Sequence, residues 1–309
     1  MKKPRVTIYY HNCFGRNDGP PLYYYNVLKN QLKMDVSHLF PEGDISRWGK
    51  FDYHFWVDYG EDGLPVDHAW QIPEDGGKKI YVVSDAHIDD KGRDYRFKKA
   101  QEFDYVFFNQ KHFIDEWSKL DIRHKPEVFY LPHAAEPQAY PHFEIIKKWD
   151  ICFIGHVQEF HKGNGVNTTR VEALDRMFAE FPNFYFGTRN GADPSANMFE
   201  DASKKFCQSK VVFNISIGND LNMRFFEVLS SGSFLLTNWI PELASVPDLQ
   251  DGVHYVTYKT MDEAVELARY YIEHDKEREK IALAGHKQFL KAHTYKHRIE
   301  QILKTVKGG

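Results

Sequence analysis

The stretch from Asn214 to Asn238 constrains the fold more than any other part of the chain. An apolar run ends at Phe213, turn residues occupy Gly218 to Asp220, and apolar residues then recur at helical spacing from Met223 to Leu229. A second apolar run follows at Phe234 to Leu236. This order of strand, loop, helix and strand predicts a parallel sheet, in which ligands bind where the C-termini of strands meet the N-termini of helices.

Two charged residues lie on one face of this predicted helix. Arg224 is in its first turn and Glu227 follows three residues later. The free N–H groups of a first helical turn suit a diphosphate, and a guanidinium adds a bidentate contact. A carboxylate has only acceptors, which suits the two hydroxyls of a ribose. The alternative is an ion pair on a solvated helix face, which would contribute only a few tenths of a kcal/mol.

The rest of the chain also alternates between predicted strands and predicted helices. A length of 309 residues favours two domains, and we place the boundary in the Pro- and His-containing segment from Pro132 to Lys148, giving domains 1–146 and 147–309. Short apolar runs predict strands, and periodic segments predict helices that include three consecutive ones after Tyr258. We therefore predict an α/β protein with two doubly wound, Rossmann-like domains and a helical C-terminus.

Composition excludes several classes of protein. Hydrophobic residues make up 42% of the chain, and the formal net charge is -4, so neither disorder nor a general attraction to nucleic acid is indicated. The apolar run after the basic start is too short for a signal peptide, and nothing approaches a membrane span. Three widely spaced cysteines, Cys13, Cys152 and Cys207, fit a reducing compartment. We expect a cytoplasmic protein.

The landmarks around the central stretch resemble a known family. Asn222, Arg224, Phe226, Glu227 and Gly232 match the pattern N-x-R-x-F-E followed by small residues and a glycine. That pattern is similar to the nucleotide-sugar motif of GT-B glycosyltransferases, and in particular of the branch known as CgeB-like or spore maturation protein. Further residues match the family as far as the segment His293 to Arg298, so that the resemblance covers about a third of the chain.

The resemblance implies a function and a way of binding the donor. A family member moves a sugar from a nucleotide-diphosphate sugar, most often a UDP-sugar, in a cleft between the two domains, and its last helix reaches back to the first domain. It needs neither cofactor nor metal, because helix termini and basic side chains neutralise the departing diphosphate. The donor-binding residues would include Glu227, Asn222, Arg224 and Asn219, with Arg224 also acting in catalysis.

A second loop could contact the donor phosphates. Gly155 and His156 end the first strand of the second domain, and Lys162 and Arg170 follow before and within the next helix. Backbone N–H groups and a basic side chain in such a loop can bind phosphate. The resembled family has an arginine where this chain has His156, which makes Arg170 the alternative phosphate partner. The competing interpretation is a basic loop in solvent.

Asp85, His87 and Asp89 directly follow the predicted strand Ile80 to Val83 and would share one face of an extended segment. The resemblance implies that His87 contacts the donor sugar, with Asp85 beside it as a catalytic candidate. A structural cap at Asp85 is the second interpretation, and a metal site is the third.

The loop Asn17-Asp18-Gly19 is a tight turn that could present backbone to the acceptor, or merely connect strand to helix. The acceptor itself stays open between a polysaccharide, a protein, a small molecule and a modified nucleic acid base, and the oligomeric state is not predicted. An oxidoreductase is disfavoured because no G-x-G-x-x-G opens a helix in the first βαβ unit. A non-catalytic nucleotide- or sugar-binding protein of the same fold is the remaining alternative. We favour sugar transfer with retention of configuration.

Overall fold

The computed structural model describes residues 3–9, 19–39, 49–58, 74–84, 90–122, 125–155, 157, 162–163, 168–187, 199–218 and 220–308. The chain forms two compact units. The first comprises Met1–Pro132 with Tyr295–Gly309, and the second comprises His133–Thr294.

The first unit contains a six-stranded sheet whose described strand pairs are all parallel, in the order β2-β1-β3-β4-β5-β6. Its strands are β1 Arg5–Tyr9, β2 Asp35–Leu39, β3 Tyr53–Val57, β4 Lys78–Val83, β5 Tyr105–Phe108 and β6 Glu127–Tyr130. Its first three helices are α1 Pro20–Asn26, which continues as a π-helical turn over Val27–Gln31, α2 Asp90–Ala100 and α3 His112–Ser118. Most residues of β4 and β5 are buried, as expected where helices cover both faces of a parallel sheet.

The second unit contains a five-stranded sheet whose described strand pairs are also all parallel, in the order β10-β7-β11-β12-β13. Its strands are β7 Trp149–Ile154, β10 Phe184–Gly187, β11 Ser209–Asn214, β12 Leu235–Asn238 and β13 Val256–Tyr258, and a short antiparallel pair is formed by β8 Lys162–Gly163 and β9 Thr168–Thr169. Its helices are α4 Arg170–Glu180, α5 Phe199–Cys207, α6 Met223–Ser230, α7 Met261–Glu273 and α8 Asp275–Ala292, with a 3-10 turn at Pro241–Ser245. Two doubly wound α/β units are thus confirmed.

Helix α6 lies where the periodicity predicts it. The side chain of Asn222 caps its start by accepting the backbone N–H of Phe225 at 3.2 Å. Its apolar residues are buried against the sheet. The helix stops at Gly232, whose φ of +69° favours glycine and whose missing side chain leaves room for His142: a Cβ there would lie 2.6 Å from the His142 Nδ1.

The segment that we expected to contain the domain boundary lies almost entirely with the second unit, so the boundary falls after Pro132 rather than after residue 146. Its backbone is bound by side chains from two helices of that unit. The Ser230 hydroxyl donates to the Tyr140 carbonyl at 2.9 Å, and the Ser203 hydroxyl donates to the Pro141 carbonyl at 2.6 Å. These contacts join residues far apart in sequence, which is why composition alone placed the boundary too late.

The last helix, α9 Tyr295–Gly308, belongs to the first unit although we assigned residues 147–309 to the second domain. The ring of its first residue, Tyr295, packs against two aromatic rings of α1, with centroid distances of 5.0 Å to Tyr23 and 5.7 Å to Tyr24. The Arg298 guanidinium donates to the Pro132 carbonyl at 2.8 Å. The helix therefore completes the first unit, which agrees with the expectation that the chain returns to it. Among the described residues, no helix combines the length and the apolar composition that crossing a membrane requires.

Gly285 of α8 sits against the backbone of His254. A Cβ at this position would overlap the His254 carbonyl and lie 2.9 Å from the Leu229 Cδ2 of α6. We expect Gly285→Ala to lower the free energy of unfolding by about 1 to 3 kcal/mol, because backbone cannot move aside as a side chain can. Differential scanning calorimetry against Gly308→Ala, where a Cβ meets nothing within 4 Å, measures the effect. Equal melting temperatures for the two variants would contradict the tight packing of α8.

Candidate functional site

The sheet of the second unit changes its winding direction between β7 and β11. After β7 the chain passes through α4 to β10 on one side, and β11 lies on the other side of β7. Ligands of doubly wound sheets bind outside the carboxyl ends of the strands at such a switch point. The helices that start there are α4 and α6, so the first residues of these two helices define the candidate site.

Arg224 and Glu227 form an ion pair at the start of α6. The Arg224 Nη1 lies 2.7 Å from the Glu227 Oε2, so the two side chains share one face as predicted. The alternative of a solvated surface pair does not describe it, because the Glu227 side chain is 6% exposed and that of Arg224 is 21% exposed. Burying a carboxylate costs free energy unless it is paired, and the guanidinium offsets that cost.

Arg170 is the first residue of α4 and is also buried, with 7% of its surface exposed. Its Nη2 donates to the carbonyl of Ile215 in the loop after β11, at 2.5 Å. This bond joins the start of α4 to the loop that leads into α6. Thr169 and Glu172 form a capping box that fixes the first turn of α4 and with it the backbone of Arg170.

The two guanidiniums lie near enough to affect each other. Burial, and next the positive charge of Arg224, lower the pKa of Arg170 to about 10, while Tyr258 and Asp220 act in the opposite direction. Each guanidinium also lies over an aromatic ring: Arg170 is 5.7 Å from the centroid of Phe153, and Arg224 is 5.1 Å from that of Phe206. Two neighbouring cations, of which Arg170 is buried and Arg224 is partly exposed, can be stabilised by an anionic ligand.

Polar side chains at the ends of the neighbouring strands hold the loop before α6. The Ser216 N–H donates to the Asn238 Oδ1 at 2.7 Å, and the Tyr258 hydroxyl donates to the Asn214 carbonyl at 2.9 Å. We did not single out Asn238 and Tyr258 from the sequence. For Asn238 the available signal was a polar residue two positions after the apolar run Phe234 to Leu236, at the carboxyl end of β12.

Asn222 was expected to bind the donor, and in the structure its side chain is engaged within the protein. Its Oδ1 accepts from Phe225 N–H, and its side-chain amide exchanges hydrogen bonds of 3.4 Å with that of Asn214. These bonds orient the first turn of α6, and binding of the donor by Asn222 stays a prediction. Asn219, in the same loop, lies outside the described residues.

The second predicted loop is described only in part. Gly155 follows β7, and its N–H donates to the Gly187 carbonyl at 3.0 Å; a Cβ on Gly155 would lie 3.0 Å from the Phe153 ring. Lys162 lies in β8, where the backbone is described and the side chain is not, and His156 lies outside the described residues. Among the side chains predicted for this loop and the following helix, that of Arg170 is described, and it lies at the candidate site.

The predicted residues of the first domain fall largely outside the described ranges. Asp85, His87 and Asp89 lie there, as do Asn17 and Asp18. Gly19 is described: it precedes α1 with a φ of +125°, a backbone conformation that favours glycine. In the part of the chain that the structure describes, no group of three or more His, Cys, Asp or Glu side chains could hold a metal ion.

Part of the chain is similar to a known protein family. A sequence profile of a family described as glycosyl transferase-like matches residues 186–304, which is less than half of the chain and includes α6. No curated protein sequence matches.

Solved structures match over nearly the whole chain. Sucrose-phosphate synthase from Thermosynechococcus elongatus aligns with a TM-score of 0.67 and 7% identity, over 99% of each chain. Anabaena HepE in complex with UDP and glucose aligns with a TM-score of 0.63 and 10% identity, over 99% of this chain and all of its own. A DNA-modifying β-glucosyltransferase aligns with a TM-score of 0.58 and 13% identity, over 97% of this chain and 98% of its own. The chain thus has the GT-B fold, two parallel-sheet α/β domains with a helical C-terminus.

Proposed function

We propose that this protein is a glycosyltransferase that takes a sugar from a nucleotide-diphosphate sugar. The glycosyl transferase-like profile and the GT-B fold support this class of activity. The observation that carries the proposal is the pair of neighbouring guanidiniums at the N-termini of the two helices that flank the switch point, of which Arg170 is buried and Arg224 is partly exposed.

Different residues bind different parts of the donor. The diphosphate binds to the N–H groups of the first turn of α6 and to both guanidiniums, which offset the charge that develops as the sugar leaves. Glu227 accepts hydrogen bonds from the ribose hydroxyls. Because Arg224 also pairs with Glu227, one ion pair holds both groups in place on one helical turn.

Within this class we propose a UDP-sugar as donor and a place in the CgeB-like branch. Anabaena HepE, with UDP and glucose bound, supports the choice of nucleotide, and hexosyl transfer is the form that we propose. The acceptor stays open between a polysaccharide, a protein, a small molecule and a modified nucleic acid base. The competing function is binding of a nucleotide or sugar without transfer.

A thermal-shift screen of nucleotide sugars tests the proposal. A ligand present at 100 times its dissociation constant stabilises the folded protein by about 2.7 kcal/mol, which is a measurable rise in melting temperature. We expect UDP-sugars to raise it and the free sugars to leave it unchanged. Stabilisation without hydrolysis or transfer of the donor would favour the non-catalytic function, and no stabilisation by any nucleotide sugar would reject the proposal.

We propose that no divalent metal takes part, because helix N-termini and guanidiniums provide the positive charge. Protein treated with EDTA is expected to keep its transfer activity, measured as release of the nucleoside diphosphate. Loss of activity that manganese restores would instead assign Asp85, His87 and Asp89 as metal ligands.

We also propose transfer with retention, in which His87 orients the donor sugar and Asp85 lies beside it. Proton NMR of the anomeric coupling in the product is expected to show the configuration of the donor. His87→Ala is expected to slow transfer without abolishing it. An inverted product together with complete loss of transfer in the variant would make His87 or Asp85 a general base.

A further inference from the structure

A buried histidine lies beside the candidate site and has no part in the roles given above. His133 is the first residue of the second unit, and its Nε2 lies 4.0 Å from the Oδ1 of Asp220 in the loop before α6. Both side chains are buried, with 5% and 8% exposed. A histidine and a carboxylate at this distance form an ion pair whenever the histidine is protonated.

Asp220 also interacts with Arg170, one of the two candidate phosphate-binding cations. Its charge favours the protonated form of Arg170, against the repulsion that Arg224 exerts on the same guanidinium. Asp220 therefore affects the charge of Arg170 and lies 4.0 Å from the imidazole of His133. Glu136, three residues after His133, is a further buried titratable group, and burial raises its pKa. Pro132, the residue before His133, accepts a hydrogen bond from Arg298.

We propose that His133 is a positioning residue that takes up a proton when the diphosphate binds, so that the protonated imidazole pairs with Asp220. This inference rests on the proposed function. A diphosphate that binds the Arg170 guanidinium competes with Asp220 for that charge. The negative charge of Asp220, together with that of the ligand, then favours the protonated form of the nearest histidine. The proton comes from solvent, and no covalent bond changes.

Isothermal titration calorimetry with UDP as the probe tests this proton uptake. Titrations at pH 7.5 in HEPES and in Tris, two buffers with different heats of ionisation, give the number of protons taken up on binding. We expect wild-type protein to take up as much as about one proton per UDP, and its affinity for UDP to fall as the pH is raised from 6.5 to 8.5. His133→Gln is expected to remove this uptake and to flatten the pH dependence.

Two further variants test whether the proton uptake belongs to the pair of His133 and Asp220. His286→Gln removes another partly buried histidine of the second unit, which lies in α8 with its Nδ1 3.1 Å from the Leu229 carbonyl of α6, and is expected to keep the uptake of the wild type. Asp220→Asn is expected to lose it, which provides a second test should His133→Gln fail to fold. Any protonation of the terminal phosphate of UDP itself is common to all four proteins.

UDP binding by wild-type protein with no more proton uptake than His133→Gln would overturn the inference and leave the proposed function standing. Uptake that persists in Asp220→Asn would overturn it as well. If neither UDP nor any other nucleoside diphosphate binds wild-type protein, the inference and the proposed function both fail.

Discussion

Arg224→Ala is expected to lower the rate of sugar transfer by about 100-fold or more, equivalent to about 2.7 kcal/mol of transition-state stabilisation. The reason is that the departing nucleoside diphosphate gains negative charge in the transition state, and Arg224 is a partly exposed guanidinium on the first turn of α6. Arg170 would remain, but its own contact with the Ile215 carbonyl limits its reach. The measurement is kcat from nucleotide release, with donor at saturating concentration.

The control for Arg224→Ala is Arg176→Ala, which removes an arginine from a pair with Glu180 on α4 that is more exposed to solvent. That variant is expected to transfer sugar at the wild-type rate. If Arg224→Ala also kept its full rate and merely melted at a lower temperature, the pair with Glu227 would have only a structural role.

Glu227→Gln is expected to weaken binding of UDP by about 1.5 to 3 kcal/mol, the range for a hydrogen bond to a charged group. The substitution keeps the size of the side chain and removes its charge, so the ribose hydroxyls lose a strong acceptor. The buried carboxylate also holds Arg224 in place, and its loss leaves that guanidinium with a weaker partner. Calorimetric titration with UDP measures the change.

Glu180→Gln provides the matched control, because Glu180 pairs with Arg269 and Arg176 away from the candidate site. Its affinity for UDP is expected to equal that of the wild type. To separate ribose recognition from loss of the Arg224 contact, UDP can be compared with 2′,3′-dideoxy-UDP. The preference for UDP over 2′,3′-dideoxy-UDP should be smaller in Glu227→Gln than in the wild type, and an unchanged preference would reject the ribose assignment.

The central part of the site could be predicted from the sequence because it depends on local order. The helical spacing from Met223 onwards matches α6, which begins at Met223. A separation of three positions on one helix places Arg224 and Glu227 on the same face, whatever surrounds the helix. The structure confirms their proximity. Burial was not predictable in this way, because it depends on how distant parts of the chain pack around Glu227.

Other features depend on contacts between distant segments. Helix α2 was not predicted because its sequence, DKGRDYRFKKA, contains a glycine and few apolar residues. Strand β13 has three residues, too few for a pattern. The hydrogen bond from Arg170 to Ile215 joins residues 45 positions apart. The proximity of His133 to Asp220 likewise needs the fold, since their segments are separated by most of the second unit.

The most direct test of the central claim is a crystal structure of this protein with UDP bound. We expect the diphosphate within hydrogen-bond distance of the N–H groups at the start of α6 and of the Arg170 and Arg224 guanidiniums, with the ribose hydroxyls on Glu227. A nucleotide bound elsewhere, with Arg224 and Glu227 still paired only with each other, would contradict it.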